Sequence, residues 1–375
     1  MSTIAGYATA EGTAAFGHRA VERHALPPSY FRRAPTGLTL SSLGLGTYLG
    51  RPDLATDRSV ELAAKLVLES GRMNSIDTAI NYRLQRAERS VGRALAALIA
   101  AGRLERSEVF VATKVGYLAP DGESPESPQD WIHSQLIGPG ILDPTDIADG
   151  AHAMSPSYLR DQVARSRANL GIETLDLVYL HNAFEAQRVA VGAREFDHRL
   201  RLAFETFEGM RSRGELRSYG IATWEALRGD REEEGHLDLA SAVRLAESVG
   251  GAEHGFRFIQ FPFNIAMPEA ALHANQSIDG HPLTTFGAAG KLGLGCFTSV
   301  PLLQGELART GPHYGALGRS ASAIQFARSA PGALCALVGA KDPAHLSENL
   351  ALAATPPWDA ATFEEHLAAR RSPDR

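Results

Sequence analysis

The strongest constraint on the fold is a regular alternation of strand-like and helical patterns along most of the chain. The eight strand-like runs are short and apolar, and they end at Thr47, Asp77, Lys114, His181, Ala222, Gln260, Thr298 and Val338. A helical pattern follows each run, at residues 57–72, 86–101, 157–170, 196–213, 237–249, 283–291, 320–328 and 345–353. Eight β–α repeats predict an α/β fold of the (β/α)₈ TIM barrel type rather than an open sheet.

The domain organisation predicted from this pattern is simple. Residues 37–375 form one barrel domain, and residues 1–36 form an N-terminal extension that drapes over the fold or is partly disordered. Two insertions, at 117–156 and 183–195, follow strands that end in chemically useful residues. They are therefore expected as long loops on the C-terminal face, where barrel loops shape substrate specificity.

Composition limits the classes of partner and compartment. The net charge of −6 argues against nucleic acid or an anionic membrane as a partner. The two cysteines lie in apolar runs, as expected of small core residues in a reducing cytoplasm. The N-terminus shows neither a signal peptide nor a membrane-spanning pattern, and no zinc-type motif indicates a metal site. We therefore expect a cytoplasmic protein.

Four residues with acid–base chemistry lie at or near the ends of separate strands: Asp77, Tyr82, Lys114 and His181. Lys114 stands out because only four of the 37 basic residues are lysines. Each residue has an ordinary structural alternative: a helix cap, a loop aromatic, a surface charge and a core histidine, respectively. The coincidence of all four on one barrel face favours a catalytic site.

The segments around these residues resemble the aldo-keto reductase family. The resemblance rests on Leu43-Gly44-Leu45-Gly46-Thr47-Tyr48, on Ile76-Asp77-Thr78-Ala79-Ile80-Asn81-Tyr82, on Thr113-Lys114, on Tyr179-Leu180-His181-Asn182, on Pro301-Leu302-Leu303-Gln304-Gly305 and on Val338-Gly339-Ala340 with Glu348-Asn349. These motifs occur in the family's order between about Leu38 and Leu352. The resemblance implies a TIM-barrel oxidoreductase that reduces an aldehyde or ketone with NAD(P)H.

The resemblance also implies a role for each of the four residues. Tyr82 would donate a proton to the carbonyl oxygen, and Lys114 would lower the Tyr82 pKa, because a nearby ammonium favours phenolate. Asp77 would pair with Lys114, and His181 would orient the carbonyl oxygen or donate to it.

The cofactor would lie extended across the barrel mouth. Its expected contacts are Gly46, Thr47, Asp77, Thr223, Gln260, Ser299, Leu302, Gln304, Gly305, Gly339, Lys341, His345, Glu348 and Asn349. Lys341, placed to contact a 2′-phosphate, favours NADP(H) over NAD(H). Substrate contacts are expected from Tyr48, Trp131, His133 and Trp224.

The chain departs from the family pattern at three places. Ala222-Thr223 stands where the family has Ser-Asn, Ser299 replaces an aromatic that stacks on nicotinamide, and His345 replaces an arginine. Phe297 or Trp224 is a candidate to take over the stacking. The family includes potassium-channel β-subunits, so a cofactor-binding regulatory subunit is an alternative function, as is a cofactor-dependent epimerase or isomerase.

Overall fold

The computed structural model describes residues 3–368, and its central feature is a closed barrel of eight parallel strands. The strands are β1 (Leu43–Gly46), β2 (Ser75–Asp77), β3 (Phe110–Val115), β4 (Leu175–His181), β5 (Leu216–Ala222), β6 (Phe256–Pro262), β7 (Gly295–Ser299) and β8 (Ala333–Gly339). Their order around the barrel is their order along the chain, and β8 closes the barrel by pairing with β1. The predicted fold class is confirmed.

A helix follows each strand, close to the predicted bounds. The helices are α1 (Leu54–Glu69), α2 (Arg86–Ala100), α3 (Pro156–Leu170), α4 (Ala193–Ser212), α5 (Leu239–Gly250), α6 (Thr285–Lys291), α7 (Arg319–Ser329) and α8 (Pro343–Ala351). Helix α1 begins three residues before the predicted Asp57, because Asp53 provides the cap and its carboxylate accepts from the Thr56 amide. Asp57 is instead buried inside the helix.

Residues 3–41 are packed against the end of the barrel where the strands begin. They form a helix, Ala10–His24, and a small hairpin that pairs Phe31–Arg33 with Thr39–Ser41. Leu38 and Leu40 join the apolar cluster that fills the barrel interior. The amide of Ala8 also donates to the buried carboxylate of Asp176, at 2.7 Å. The sequence pattern had assigned no element to residues 1–36.

Aromatic rings fill the inside of the barrel. Phe110 and Phe297 stack with centroids 5.7 Å apart, and Phe258 lies edge-on to Phe297 at 5.9 Å. The interior is therefore a packed core rather than a pore, as is usual for this architecture. With the extension covering the opposite end, an open site is left at the carboxyl ends of the strands.

The two insertions have short helical segments of their own. The first contains Pro128–Ile132, His133–Ile137 and Pro144–Asp146, and the second contains Phe184–Arg188 and Val189–Val191. Other small elements are Arg106–Glu108, Glu269–Leu272, the paired strands Gln276–Ile278 and His281–Leu283, Leu303–Gly305, Glu306–Thr310, Leu352–Ala354 and Ala360–Ala368. No helix in the described part of the chain is both long and apolar enough to cross a membrane.

Candidate active site

A buried ion pair joins the ends of β2 and β3. The Lys114 ammonium lies 2.5 Å from Asp77 Oδ2 and also donates to the Thr78 carbonyl at 3.0 Å. The other carboxylate oxygen of Asp77 accepts from the Gln260 amide at 2.8 Å. Asp77 therefore holds a buried lysine rather than capping a helix, and Lys114, only 1% exposed, is not a surface charge.

Tyr82 lies directly against this pair. The Lys114 ammonium is 4.7 Å from the centre of the Tyr82 ring. On the other side, the Tyr82 ring makes edge contacts with Tyr48 at 5.0 Å and with His181 at 5.8 Å. The structure thus brings together the four residues that the sequence pattern singled out.

Burial and charge set the protonation states of these groups. Burial raises the pKa of Tyr82 above its ordinary value, although the Lys114 charge acts in the opposite direction. Lys114 lowers the pKa of Tyr82 as expected, but burial raises that pKa by more. For Lys114, burial favours the neutral form, yet Asp77 and Tyr82 raise its pKa above the ordinary value. The tyrosine is therefore protonated and the lysine charged near neutral pH.

His181 is neutral for the same kind of reason. Burial, with smaller contributions from Lys114 and His152, holds the pKa of His181 well below its usual range. Its Nδ1 atom has no hydrogen-bond partner among residues 3–368. A neutral imidazole has one N–H donor and one acceptor nitrogen, and His181 lines the cavity described below, so it can form a hydrogen bond with a polar ligand there.

These groups open onto a cavity of about 1050 Å³, large enough for a sizeable ligand. The residues expected around a cofactor all line it: Gly46, Thr47, Asp77, Thr223, Gln260, Ser299, Leu302, Gln304, Gly305, Gly339, Lys341, His345, Glu348 and Asn349. Tyr48, Trp224, Tyr82 and His181 line it too. The cavity therefore runs from the acid–base cluster to the start of α8.

Two expected substrate contacts do not line this cavity. Trp131 is buried in an apolar cluster of the first insertion, beneath the guanidinium of Arg165. His133, two residues later, is exposed. Both lie where the insertion packs on itself and on α3. The residue of this insertion that does line the cavity is Tyr117, whose ring meets His181 edge-on at 5.1 Å.

Phe297 and Trp224, the two candidates to stack on the nicotinamide, differ in how deeply they are buried. Phe297 is 1% exposed and stacked within the barrel core, so it cannot cover a ligand in the cavity. Trp224 is 37% exposed and lines the cavity wall. Trp224 is therefore the remaining candidate of the two.

His152 is a positioning residue that sequence reasoning missed. It is buried, and its Nε2 donates to the main-chain oxygen of His181 at 2.8 Å. Its Nδ1 accepts from Gln187 at 3.0 Å, and Gln187 in turn accepts from Arg199. Burial lowers the pKa of His152 to about 4, so it stays neutral. The contact joins both insertions to the end of β4 and has no local sequence signature.

Glu185 was missed in the same way. One of its carboxylate oxygens accepts from the Thr223 hydroxyl and from the amides of Trp224, Glu225 and Ala226. The Thr223 hydroxyl also accepts from the Ala226 amide, so it is already engaged by two protein partners. Glu185 thus holds the loop after β5 in place across a sequence separation that no local pattern reveals.

Metal binding has no structural support in the part of the chain that the structure describes. No group of three or more histidine, cysteine, aspartate or glutamate side chains there is placed to hold a metal ion. The ionisable groups of the site instead pair with one another, as in the contact between Lys114 and Asp77.

Comparison with known proteins identifies the family of the chain. A model of the aldo/keto reductase family matches residues 42–239. A protein of Escherichia coli described as NADH-specific methylglyoxal reductase is 30% identical over 150 residues. That match spans only 39% of this chain and 39% of the bacterial protein.

Solved structures show the same fold along most of the chain. The holo form of an aldo-keto reductase from Bacillus halodurans is 19% identical, with a TM-score of 0.60, over 91% of this chain and 96% of that one. A Klebsiella pneumoniae aldo/keto reductase in complex with NADP and acetate is 17% identical, with a TM-score of 0.61, over 92% and 97% of the respective chains. At these identities the likeness concerns the fold alone.

The role of Glu185 in holding the loop after β5 is testable by hydrogen exchange. In Glu185→Ala, the amides of Trp224, Glu225 and Ala226 lose a charged acceptor, an interaction worth roughly 1.5–3 kcal/mol. Their exchange measured by mass spectrometry should become about ten- to a hundredfold faster. Glu215→Ala is the matched control, since Glu215 pairs with Arg213 in the turn before β5, at the other end of that strand. Unchanged exchange in Glu185→Ala would contradict the assignment.

Proposed function

This chain belongs to the aldo/keto reductase family, and we propose that it reduces a small aldehyde or ketone to an alcohol with a nicotinamide cofactor. The observation that carries the proposal is the contact of a protonated Tyr82 with the buried Lys114–Asp77 pair at the wall of a large cavity. When bound, the cofactor supplies the hydride, and the protein supplies the proton and the geometry.

Tyr82 is the proton donor in this proposal. As charge develops on the carbonyl oxygen, the phenol transfers its proton to that oxygen and becomes phenolate. The ammonium of Lys114 stabilises the phenolate, because opposite charges attract strongly in a site with little water. Asp77 keeps Lys114 in place, and Gln260 keeps Asp77 in place, so neither charge must reorganise during the reaction.

His181 orients the carbonyl. Because its imidazole is neutral, it can donate one hydrogen bond to the carbonyl oxygen without competing with Tyr82 for the proton. The hydrogen bond from His152 fixes the main chain at His181, and the Tyr117 ring packs edge-on against the His181 imidazole.

The substrate side of the cavity favours small neutral compounds. Its wall there is formed by the rings of Tyr48, Tyr117 and Trp224 and by the amides of Asn81 and Asn182. Asn81 Oδ1 is buried without a hydrogen-bond partner among the described residues. Aromatic faces with a few amides suit a neutral carbonyl compound with a polar substituent. Methylglyoxal, the substrate named for the Escherichia coli relative, has this character.

The proposed function is tested with Tyr82→Phe. Multi-turnover oxidation of NADPH and of NADH is followed with methylglyoxal and neutral aldehydes as substrates. The wild type should turn over repeatedly, and Tyr82→Phe should bind cofactor normally but lose about 10²–10⁴-fold in kcat, the contribution of a positioned acid.

Other outcomes separate the alternatives. A wild type that binds cofactor but never completes several turnovers would indicate a regulatory subunit. Product formed from a substrate without net loss of reduced cofactor would indicate an epimerase or isomerase. Near-normal turnover in Tyr82→Phe would remove Tyr82 from the chemistry.

For the cofactor, we favour NADP(H). The side chains of Lys341 and Arg309 are exposed, and both residues line the cavity, as does His345. The nearby Asp342 carboxylate caps α8 by accepting from the Ala344 amide at 2.7 Å. Two cations beside a cavity wall suit a phosphate. NADH remains the alternative, because the Escherichia coli relative is described as NADH-specific.

The cofactor proposal is tested by paired titrations of NADPH and NADH. Lys341→Ala should weaken NADPH about ten- to a hundredfold, since a charge-assisted hydrogen bond contributes roughly 1.5–3 kcal/mol, and should leave NADH nearly unchanged. Lys291→Ala, on the exposed end of α6, is the matched control. Equal wild-type affinity for both cofactors, or an unchanged ratio in Lys341→Ala, would remove Lys341 from the phosphate site.

A further inference from the structure

The chain immediately after Tyr82 has an unusual backbone. Arg83, Leu84 and Gln85 have φ angles of 50°, 56° and 70°, so three consecutive residues with side chains lie in the left-handed region. Residues other than glycine adopt this region rarely, and a run of three is strained. Such a segment persists only where its surroundings hold it.

A buried ion pair holds the segment from one side. Arg83 Nη1 lies 2.5 Å from Asp57 Oδ1, and Arg86 lies 2.8 Å from Asp57 Oδ2. The side chains of Arg83 and Asp57 are only 2% and 3% exposed. Asp57 belongs to α1, so the pair ties the loop that carries Tyr82 to a neighbouring helix.

The first insertion holds the segment from the other side. The side-chain amide of Gln85 donates to the Ala119 carbonyl at 2.8 Å, and the main-chain amide of Gly122 donates to the Leu84 carbonyl at 3.0 Å. The main-chain oxygen of Tyr82 itself accepts from the Ala87 amide. Tyr82 is therefore the last residue before a strained turn that is fixed at both edges.

The ion pair is poorly explained as a device for stability alone. Nε and Nη2 of Arg83 are buried without hydrogen-bond partners in residues 3–368, so of its three guanidinium nitrogens Nη1 alone is paired there. Buried pairs with incomplete hydrogen bonding seldom add net stability. Their better-supported use is to fix one arrangement among several.

We infer that the Asp57–Arg83 pair is a positioning device that sets the orientation of Tyr82 relative to Lys114. The inference rests on the proposed function of Tyr82 and adds a residue from α1 that does not line the cavity. Loss of the pair should let the turn relax and move the phenol away from the ammonium. Displacements of about 1 Å in a catalytic group can cost on the order of 100-fold in rate.

The test compares Asp57→Asn and Arg83→Gly with wild type. Each single variant should lower kcat about ten- to a hundredfold, with KM and cofactor Kd within about twofold. Glu61→Gln is the matched control on the same helix, because Glu61 pairs with Lys65 and Arg93 at the surface. It should leave kcat unchanged.

The Arg83→Gly variant guards against simple misfolding. In this variant Asp57 keeps its ion pair with Arg86, so no buried charge is left unpaired at residue 57, and glycine adopts a positive φ without strain. Its thermal midpoint should therefore stay close to that of the wild type while kcat falls. A thermal midpoint and a kcat that both match the wild type would overturn the inference.

A readout without turnover separates this inference from the proposed function. The tyrosinate absorbance of each protein is titrated with pH, and the Tyr82 signal is obtained by subtracting its Tyr82→Phe counterpart. Moving Tyr82 away from Lys114 should raise its pKa in both single variants. A wild type without carbonyl turnover would defeat the proposed function, yet the titration would still decide the inference. An unchanged Tyr82 pKa would overturn it.

Discussion

The active site depends on one buried ion pair, Lys114 with Asp77. Removing two charges from water is costly, and their attraction offsets the cost only if further hydrogen bonds satisfy both groups. Here the Thr78 carbonyl accepts a further hydrogen bond from Lys114, and the Gln260 side-chain amide donates one to Asp77. These contacts come from β2, β3 and β6, so the pair exists only because the barrel closes in the correct register.

The barrel and the central site residues were predictable from the sequence for a physical reason. A strand that is buried on both faces has a short apolar sequence. In a parallel barrel, the residues that end such strands meet at the same end of the barrel. Asp77, Lys114 and His181 occupy such positions, so their order in the sequence already implies proximity. Tyr82 lies five residues after the end of β2, so its position does not follow from the strand pattern. It was identified through the resemblance of its segment to the aldo-keto reductase family.

The contacts made by the long insertions were not predictable. A strand pattern cannot show how an insertion folds on itself, so Trp131 and His133 were assigned to the cavity although Trp131 packs inside its own loop. His152 and Glu185 act through partners 29 and 38 residues away, and no periodicity records such contacts. The N-terminal helix, Ala10–His24, was missed because its buried face consists of Thr13, Phe16, Gly17 and Ala20, of which only Phe16 is a large apolar residue.

Burial and the Lys114 charge act on the pKa of Tyr82 in opposite directions, and the pH dependence of carbonyl reduction in Lys114→Met measures the effect of that charge. In wild type, activity should fall as pH rises through the Tyr82 pKa, because only the phenol donates a proton. Removal of the ammonium leaves burial and the Asp77 charge, both of which raise that pKa. We expect a large loss of kcat and a residual activity whose decline is displaced to higher pH. An unchanged profile with near-normal kcat would show that Lys114 does not act on Tyr82.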